Sequence, residues 1–596
     1  MTDVDRRNAP FLPNSPGCWR IARVLVIVIA AAMYFGYNGH HRLLDPDEGR
    51  YAEIPREMIE SGDFITPRLN YVKYFEKPPL TYWAVAAAIL MFGPQEWAMR
   101  GVCAGASLLT VLVTMGLAGR MFSKRTGVLA GWVLATSLLP LIMARLLTTD
   151  ALFALCLAAA WAAWWSGYDS RLPRAKKAWY SAGWVSLGLA VMTRGPVALA
   201  LSAGLGLVFL AARRDFREIR AAIPWPGLAG FAAVTIPWFY LVSVRNPEFL
   251  HFFFIVQHFQ RFLGDTKEHI KPFWFFIPVA IAGMGGWALL TLPAVGTAVR
   301  QAMSAVRAAW QEESQTPDKQ SAALLFLLSW VVVVVGLFSA SKCKLVPYIL
   351  PAFPALAVTV AWYVDKGGVE RPGARAAAAA MALLLVGVAA AIGGLATHQK
   401  VVPQQALAGL VFGLRMALAA GAVGLILAAV RPSAHALAAG LVVVLALPPM
   451  AAALPVVAKY KRVGALVTEL PAPLPPQVRV AELNSYDQSL SFYLRRRIIL
   501  IDDFDELAFG QEVEPAPEFF MRGEEALRRL AAEWPVLANI QPWDWPRVRR
   551  WGILHPVTAN TSNLFVGNAS FFQLTGLKPW PDDAVRPGPL LLMPRR

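Results

Sequence analysis

A polytopic all-α membrane protein carrying a small α/β domain at its C-terminal end is the fold class predicted here, on three observations. Apolar residues make up 56% of the 596 and charged residues only 16%, against about 45–50% and 25% in ordinary soluble domains. Apolar runs close to the ~20 residues that cross a bilayer recur along the chain, as in Ile21 to Tyr37, Gly127 to Met143 and Ala377 to Ala396. The net charge of +17 is unevenly placed: from Val456 onward 17 basic residues face 16 acidic ones, whereas the preceding part holds 39 and 23. A basic excess confined to loops between spans is the positive-inside pattern of a membrane protein and not a nucleic-acid footprint, so no nucleic-acid partner is expected.

Arg20 and Arg23 precede the first apolar run, and no small-residue cleavage site follows it soon, as in an uncleaved anchor. The spans read at 20–38, 98–120, 126–144, 150–168, 177–192, 195–212, 225–245, 272–298, 321–340, 345–363, 373–396, 405–430 and 433–455, about thirteen in all. Leu80 to Phe92 is left out because it is short and follows Lys77-Pro78-Pro79, which suits a helix lying at the interface. The loops support that choice. Omitting it puts Arg120/Lys124/Arg125, Arg171/Arg174/Lys176/Lys177, Arg213/Arg214/Arg217/Arg220, Arg300/Arg307, Lys366/Arg371/Arg375 and Arg431 on the inner side. Cys18, Cys103, Cys156 and Cys343 are scattered and show neither disulfide nor metal spacing.

An odd number of spans places the tail on the outer face. Two domains follow: a membrane domain over 1–455, whose first outer loop is 39–97, and an outer α/β domain over 456–596. After the proline-rich Leu470 to Pro476, the segments Val478 to Glu482, Arg497 to Ile501 and Val536 to Ile540 read as short strands. Glu524 to Trp534 between them has helical period.

The unusual charges lie in the outer loops. The first loop reads Leu44-Asp-Pro-Asp-Glu-Gly-Arg-Tyr-Ala-Glu-Ile-Pro-Arg-Glu-Met58 and then Tyr74-Phe-Glu-Lys-Pro-Pro-Leu80, too long and patterned for a passive connector. Asp45, Asp47 and Glu48 precede an amphipathic helix, where acids complement the helix dipole; Asp45 alone is best read as such a helix-start residue. Thr148-Thr149-Asp150 puts a carboxylate at a membrane boundary, and Thr193-Arg194-Gly195-Pro196 forms a tight outer turn. His258, Arg261 and His269 sit in an aromatic loop, and Ser341-Lys-Cys-Lys-Leu-Val-Pro-Tyr348 makes another outer turn. One such charge is readily a snorkelling side chain. Two carboxylates and several cations converging on one face read instead as a cavity for an anionic lipid headgroup.

Asp45 to Met58, Tyr74-Phe-Glu-Lys-Pro-Pro-Leu-Thr-Tyr-Trp83 and Thr148-Thr-Asp150 resemble the GT-C glycosyltransferases that use polyprenyl-phosphate sugars. Protein O-mannosyltransferases belong to that superfamily. Within it the chain is most similar to the bacterial 4-amino-4-deoxy-L-arabinose lipid A transferases, along its whole length and including Tyr486-Asp-Gln-Ser-Leu-Ser-Phe-Tyr493. The resemblance implies a GT-C fold in the bacterial inner membrane, with its active site and tail facing the periplasm. It implies an undecaprenyl-phosphate-linked aminoarabinose donor, a lipid A phosphate acceptor, a bilayer setting, a monomer, and polymyxin resistance as the outcome. A protein O-mannosyltransferase-like activity is the alternative. A lipid or sugar transporter is a weaker one, because the charges cluster on one face and no inverted repeat is seen.

By the same resemblance Asp47 and Asp150 are the catalytic carboxylates. Arg50, Lys77, Arg261, Lys342, Lys344 and Tyr348 would bind the donor phosphate, and Tyr51, Tyr74 and Arg194 the sugar or acceptor. No cofactor is required; Glu76 and His258 are a candidate divalent-metal pair, though two ligands make an incomplete site. With a hydroxyl acceptor Asp47 would act as general base. With an ionised phosphate acceptor it would instead orient groups, stabilise the oxocarbenium-like sugar or bind its amino group.

Overall fold

Long apolar runs can satisfy their backbone groups in lipid only as helices, and this chain follows that rule. The computed structural model describes residues 16–581 apart from 261–269, 311–317, 399–403 and 432–433. Among the described residues eight helices are long and apolar enough to cross a bilayer, or up to ten if each of two bent pairs is one span. The helices used below are α1 (Pro16–Phe35), α2 (Asp47–Ser61), α3 (Leu80–Phe92), α4 (Glu96–Met121), α5 (Lys124–Ala135), α6 (Leu138–Ala144), α7 (Asp150–Tyr168) and α8 (Pro173–Arg194). Helix α3 is the short apolar helix expected of the first loop.

Two expected spans are bent. In place of a straight helix over 126–144, α5 and α6 meet at 65°. The break falls at Thr136-Ser137, whose hydroxyls turn back onto the carbonyls of Trp132 and Val133 at 2.7 Å each; such side-chain bonds compete with a continuing helix. In place of 272–298, Phe276–Gly283 and Gly285–Ser304 meet at 105°. Gly285 turns the chain there with φ +59°, which a side chain would strain. Aromatic packing holds the interior. The Trp161 and Trp330 rings meet edge to face at 4.8 Å, and their N–H groups donate to Ser202 Oγ and the Pro351 carbonyl.

The first loop folds as α2, a hairpin of β1 (Arg68–Leu69) and β2 (Val72–Lys73), and α3. In the C-terminal domain six strands lie in the order β5-β4-β3-β6-β8-β7. Here β3 is Arg479–Leu483, β4 Ile499–Ile501, β5 Phe520–Met521, β6 Val536–Ile540, β7 His555–Ala559 and β8 Leu564–Gly567. The three strands read from sequence are β3, β4 and β6, and the helical segment is Glu524–Glu533. The pairings among β5, β4, β3 and β6 are parallel, whereas β8 runs antiparallel to β6 and β7. After β5 the chain crosses to the far side of β3. The carboxyl ends of β3 and β6 therefore form the switch point where open α/β sheets present functional loops. The loop after β3 leads into the helix Gln488–Leu494, which packs on α2.

Candidate functional site

The three acids at the head of α2 have separate tasks. Glu48 is buried against Arg100 of α4: Arg100 Nε donates to Oε1 at 2.8 Å and Nη2 to Oε2 at 2.6 Å. The backbone N–H groups of Leu44 and Leu147 complete its shell at 2.8 and 2.9 Å. Arg100 also donates to the carbonyls of Asn38, His41 and Arg42. Glu48 thus ties the first loop to α4 and to the segment before α7, with nothing left to offer a ligand.

Asp45 departs from the helix-start reading. Pro46 occupies the cap position of α2 without any side-chain cap bond. The Asp45 carboxylate is instead buried against the C-terminal domain, accepting from Ser489 N at 2.8 Å and Ser489 Oγ at 2.6 Å. Burial, and then the nearby Asp487 charge, push its carboxyl up to about 7 against the pull of the Ser489 bonds.

Asp47 is the open acid. Its side chain is 60% exposed and, among the described residues, pairs with Arg50 Nη1 at 3.1 Å, a contact worth about 0.2–1 kcal/mol at such exposure. Arg50 is anchored on its other side, where Nε donates to Glu506 of the C-terminal domain. Glu506 also accepts from the Tyr74 hydroxyl at 3.2 Å and Gln488 Nε2 at 2.6 Å. Tyr51, one residue beyond Arg50, stacks on Tyr82 with centroids 6.0 Å apart. Its phenol, raised to about 12 chiefly by burial, stays neutral and able to donate; the charges acting on it are those of Arg50, Asp47, Arg194 and Asp150.

The second half of the site comes from the membrane helices. Asp150 opens α7, and Arg194 closes α8; Arg194 Nη2 reaches Asp150 Oδ1 at 2.7 Å and Nε reaches Thr149 Oγ1 at 3.1 Å. The guanidinium lies over the rings of Tyr348 and Phe153 at 5.3 and 5.8 Å. Besides Arg194, the charges felt by Asp150 are those of Asp47 and Lys77. Lys77 is half-buried, with Nζ 3.2 Å from the Glu76 carbonyl oxygen. Asp47, Arg50, Tyr51, Tyr74, Lys77, Asp150, Arg194 and Tyr348 accordingly share one neighbourhood: one open carboxylate, one arginine-braced carboxylate, several cations and neutral phenols.

Lys344 is buried, and its ammonium donates to the Ser341 carbonyl within its own turn. Lys342 of that turn is exposed. Arg261 and the His258 side chain lie outside the described residues. Among the described residues no three His, Cys, Asp or Glu side chains are grouped to hold a metal ion; the His258 half of the candidate pair with Glu76 falls outside them.

Sequence reasoning missed Glu506, Gln488, Ser489 and Arg100. Their partners are 444 to 456 residues away for Ser489 and Glu506, and 52 for Arg100. The one available signal was Tyr486 to Tyr493, whose similarity to relatives had marked the segment without indicating what it touches.

Two family descriptions match the chain: dolichyl-phosphate-mannose-protein mannosyltransferase over 20–253 and the aminoarabinose transferase C-terminal domain over 466–565. An undecaprenyl phosphate-alpha-4-amino-4-deoxy-L-arabinose arabinosyl transferase of Edwardsiella ictaluri is 33% identical over 350 residues, 58% of this chain and 60% of its own length. The enzyme of that name from Enterobacter sp. strain 638 is 34% identical over 54% of this chain and 56% of its own. The chain thus spans under two thirds of the curated relatives it matches. Among solved structures, ArnT from Cupriavidus metallidurans bound to undecaprenyl phosphate is similar with a TM-score of 0.79 and 28% identity, covering 92% of this chain and 98% of that one. Its apo form matches with the same TM-score at 27% identity, over 93% and 99%.

Proposed function

We propose that this chain, which resembles the aminoarabinose transferases of the GT-C superfamily along most of its length, transfers 4-amino-4-deoxy-L-arabinose from undecaprenyl phosphate to lipid A phosphates. The reading includes about thirteen spans, reached by adding α1, α8 and Val197–Arg213 to the ten above. It also includes inner-membrane location and a periplasmic site. The observation that carries it is the meeting of Asp47, Arg50 and Lys77 with the Asp150–Arg194 pair.

The reaction breaks the bond between the anomeric carbon and the carrier phosphate oxygen and forms one to an acceptor oxygen. Negative charge grows on the departing phosphate and positive charge on the sugar. Cations on one side and carboxylates on the other stabilise both. Arg50, held by Glu506, and Lys77 suit the phosphate; the open Asp47 suits the sugar. Asp150, already braced by Arg194, serves better to set that arginine and the local field than to take up a proton. An acceptor phosphate is ionised near neutral pH and needs no base. An acceptor hydroxyl would give its proton to Asp47.

Purified protein supplied with undecaprenyl phosphate-aminoarabinose and lipid A should yield lipid A heavier by one pentosamine per modified phosphate, read by mass spectrometry. Transfer of mannose from a polyprenyl phosphate to a peptide hydroxyl, with lipid A unchanged, would overturn the assignment.

A further inference from the structure

The contact between α2 and the C-terminal domain is unusually close at one point. A Cβ on Gly49 would lie 2.4 Å from Ser489 N, 2.6 Å from Asp45 Oδ1 and 2.9 Å from the Gln488 carbonyl carbon. Only glycine lets the helix Gln488–Leu494 approach this far. Asp45 fills the acceptor role at that point, taking both the N–H and the hydroxyl of Ser489. Gln488, next in the chain, donates to Glu506, and Glu506 holds Arg50 and Tyr74. A second tie comes from Arg462, whose Nη1 donates to the Asp45 carbonyl at 3.1 Å.

We infer that Asp45 is a positioning residue: by holding Ser489 it docks the C-terminal domain on the first loop and so fixes the Gln488–Glu506 pair that orients Arg50. Asp45 touches none of the ligand-facing groups itself. Its effect crosses the domain boundary twice, at Asp45–Ser489 and at Glu506–Arg50, with the Gln488–Glu506 bond inside the C-terminal domain joining the two crossings.

The charged neighbours make the dock sensitive to pH. Asp487 raises the Asp45 carboxyl and Arg462 lowers it. Glu482, buried on β3, is raised by burial and by the charges of Asp487 and Asp45, and Asp487 is itself raised by burial and by Asp503. A buried acid whose value rises on docking takes up a proton when the domains close. Its contribution therefore weakens as pH climbs from the ordinary carboxylate range to about 7, and levels off above that.

The test uses the full chain in nanodiscs. Amide hydrogen exchange, corrected for intrinsic rates, is followed from acid to mildly basic pH in peptides covering 42–52 and 484–494. In the unaltered protein both peptides should lose protection together as pH rises to about 7. Ser489→Ala should speed exchange in both by roughly tenfold. Asp45→Asn keeps the shape of the side chain and should make the pH dependence shallower, the part carried by Glu482 and Asp487 remaining. Exchange at unaltered rates in Ser489→Ala, or an unchanged pH slope in Asp45→Asn, would overturn the inference. A kinetic arm rests on the transferase reading: both variants should raise donor KM by about three- to tenfold with kcat less affected. An unaltered protein with no transfer activity would count against that reading alone, and the exchange arm would still decide the dock.

Discussion

Arg50 and Glu506 form an ion pair across 456 residues of sequence, with the arginine Nε donating to the carboxylate. The pair joins the head of α2 to the loop after β4. Arg50 is thereby aimed by a domain that is otherwise outside the membrane part. Glu506→Ala should leave Arg50 free to follow Asp47, raising donor KM by roughly tenfold while kcat falls less. Steady-state kinetics over a donor series would measure the split. An unchanged KM would show that Asp47 alone suffices to aim Arg50.

Asp47 and Asp150 should both be required, yet they should differ in stability. Asp47 is exposed with one weak partner, so Asp47→Asn should abolish transfer and leave the melting temperature in place. Asp150 is 6% exposed and neutralises Arg194. Asp150→Asn should therefore also cost on the order of 1–3 kcal/mol of stability. Thermal unfolding alongside activity separates the two; equal melting temperatures would contradict the geometry.

Lys77 stands beside Glu76 just before Pro78-Pro79 and acts electrostatically on Asp150. A cation paired with a phosphate in a partly dry site contributes about 1.5–3 kcal/mol. Lys77→Ala should weaken undecaprenyl phosphate binding about ten- to a hundredfold, with Lys77→Arg intermediate because its reach differs. Wild-type affinity in a direct binding measurement would falsify the phosphate role.

Glu48 and Arg100 are the most deeply buried charge pair of the first loop, 2% and 0% exposed. Glu48→Gln leaves Arg100 charged without its counter-ion, a change that costs about 3–5 kcal/mol in comparable buried pairs. Loss of folded protein on size-exclusion chromatography is the expected outcome. A well-folded Glu48→Gln protein lacking only activity would instead make Glu48 a ligand-facing group.

Gly49→Ala should loosen the same region by a different route. The added methyl must displace backbone at Ser489, and overpacking of that kind costs about 1–3 kcal/mol. Protease cleavage between the last membrane helix and β3 should become faster. A cleavage rate equal to that of the unaltered protein would mean the two units separate by other contacts.

Much of this arrangement was legible because its signals are local. Apolar length marks helices wherever the sequence is read, and short apolar runs rich in Val and Ile marked β3, β4 and β6. The first-loop motif and Asp150 stood out as charges where charge is costly. The bends at Thr136-Ser137 and Gly285 were harder, since both lie inside apolar runs of full span length. Among Asp45, Asp47 and Glu48 the resemblance set Asp47 apart, but neither the docking contact of Asp45 nor the buried pairing of Glu48 was legible. All three sit within four residues and look alike in composition; Ser489, Arg50 and Arg100, brought in by tertiary folding, tell them apart.

The span of 444 to 456 residues between the first loop and its partners also sets an order in time. At about 5–20 residues per second of synthesis, roughly 20 to 90 seconds separate emergence of Arg50 from that of Glu506. During that interval the loop has neither its brace nor its dock. A nascent chain therefore carries Arg50 unbraced until the C-terminal domain has been delivered. Stalled or truncated products, however well inserted, would hold that arginine only through its exposed contact with Asp47.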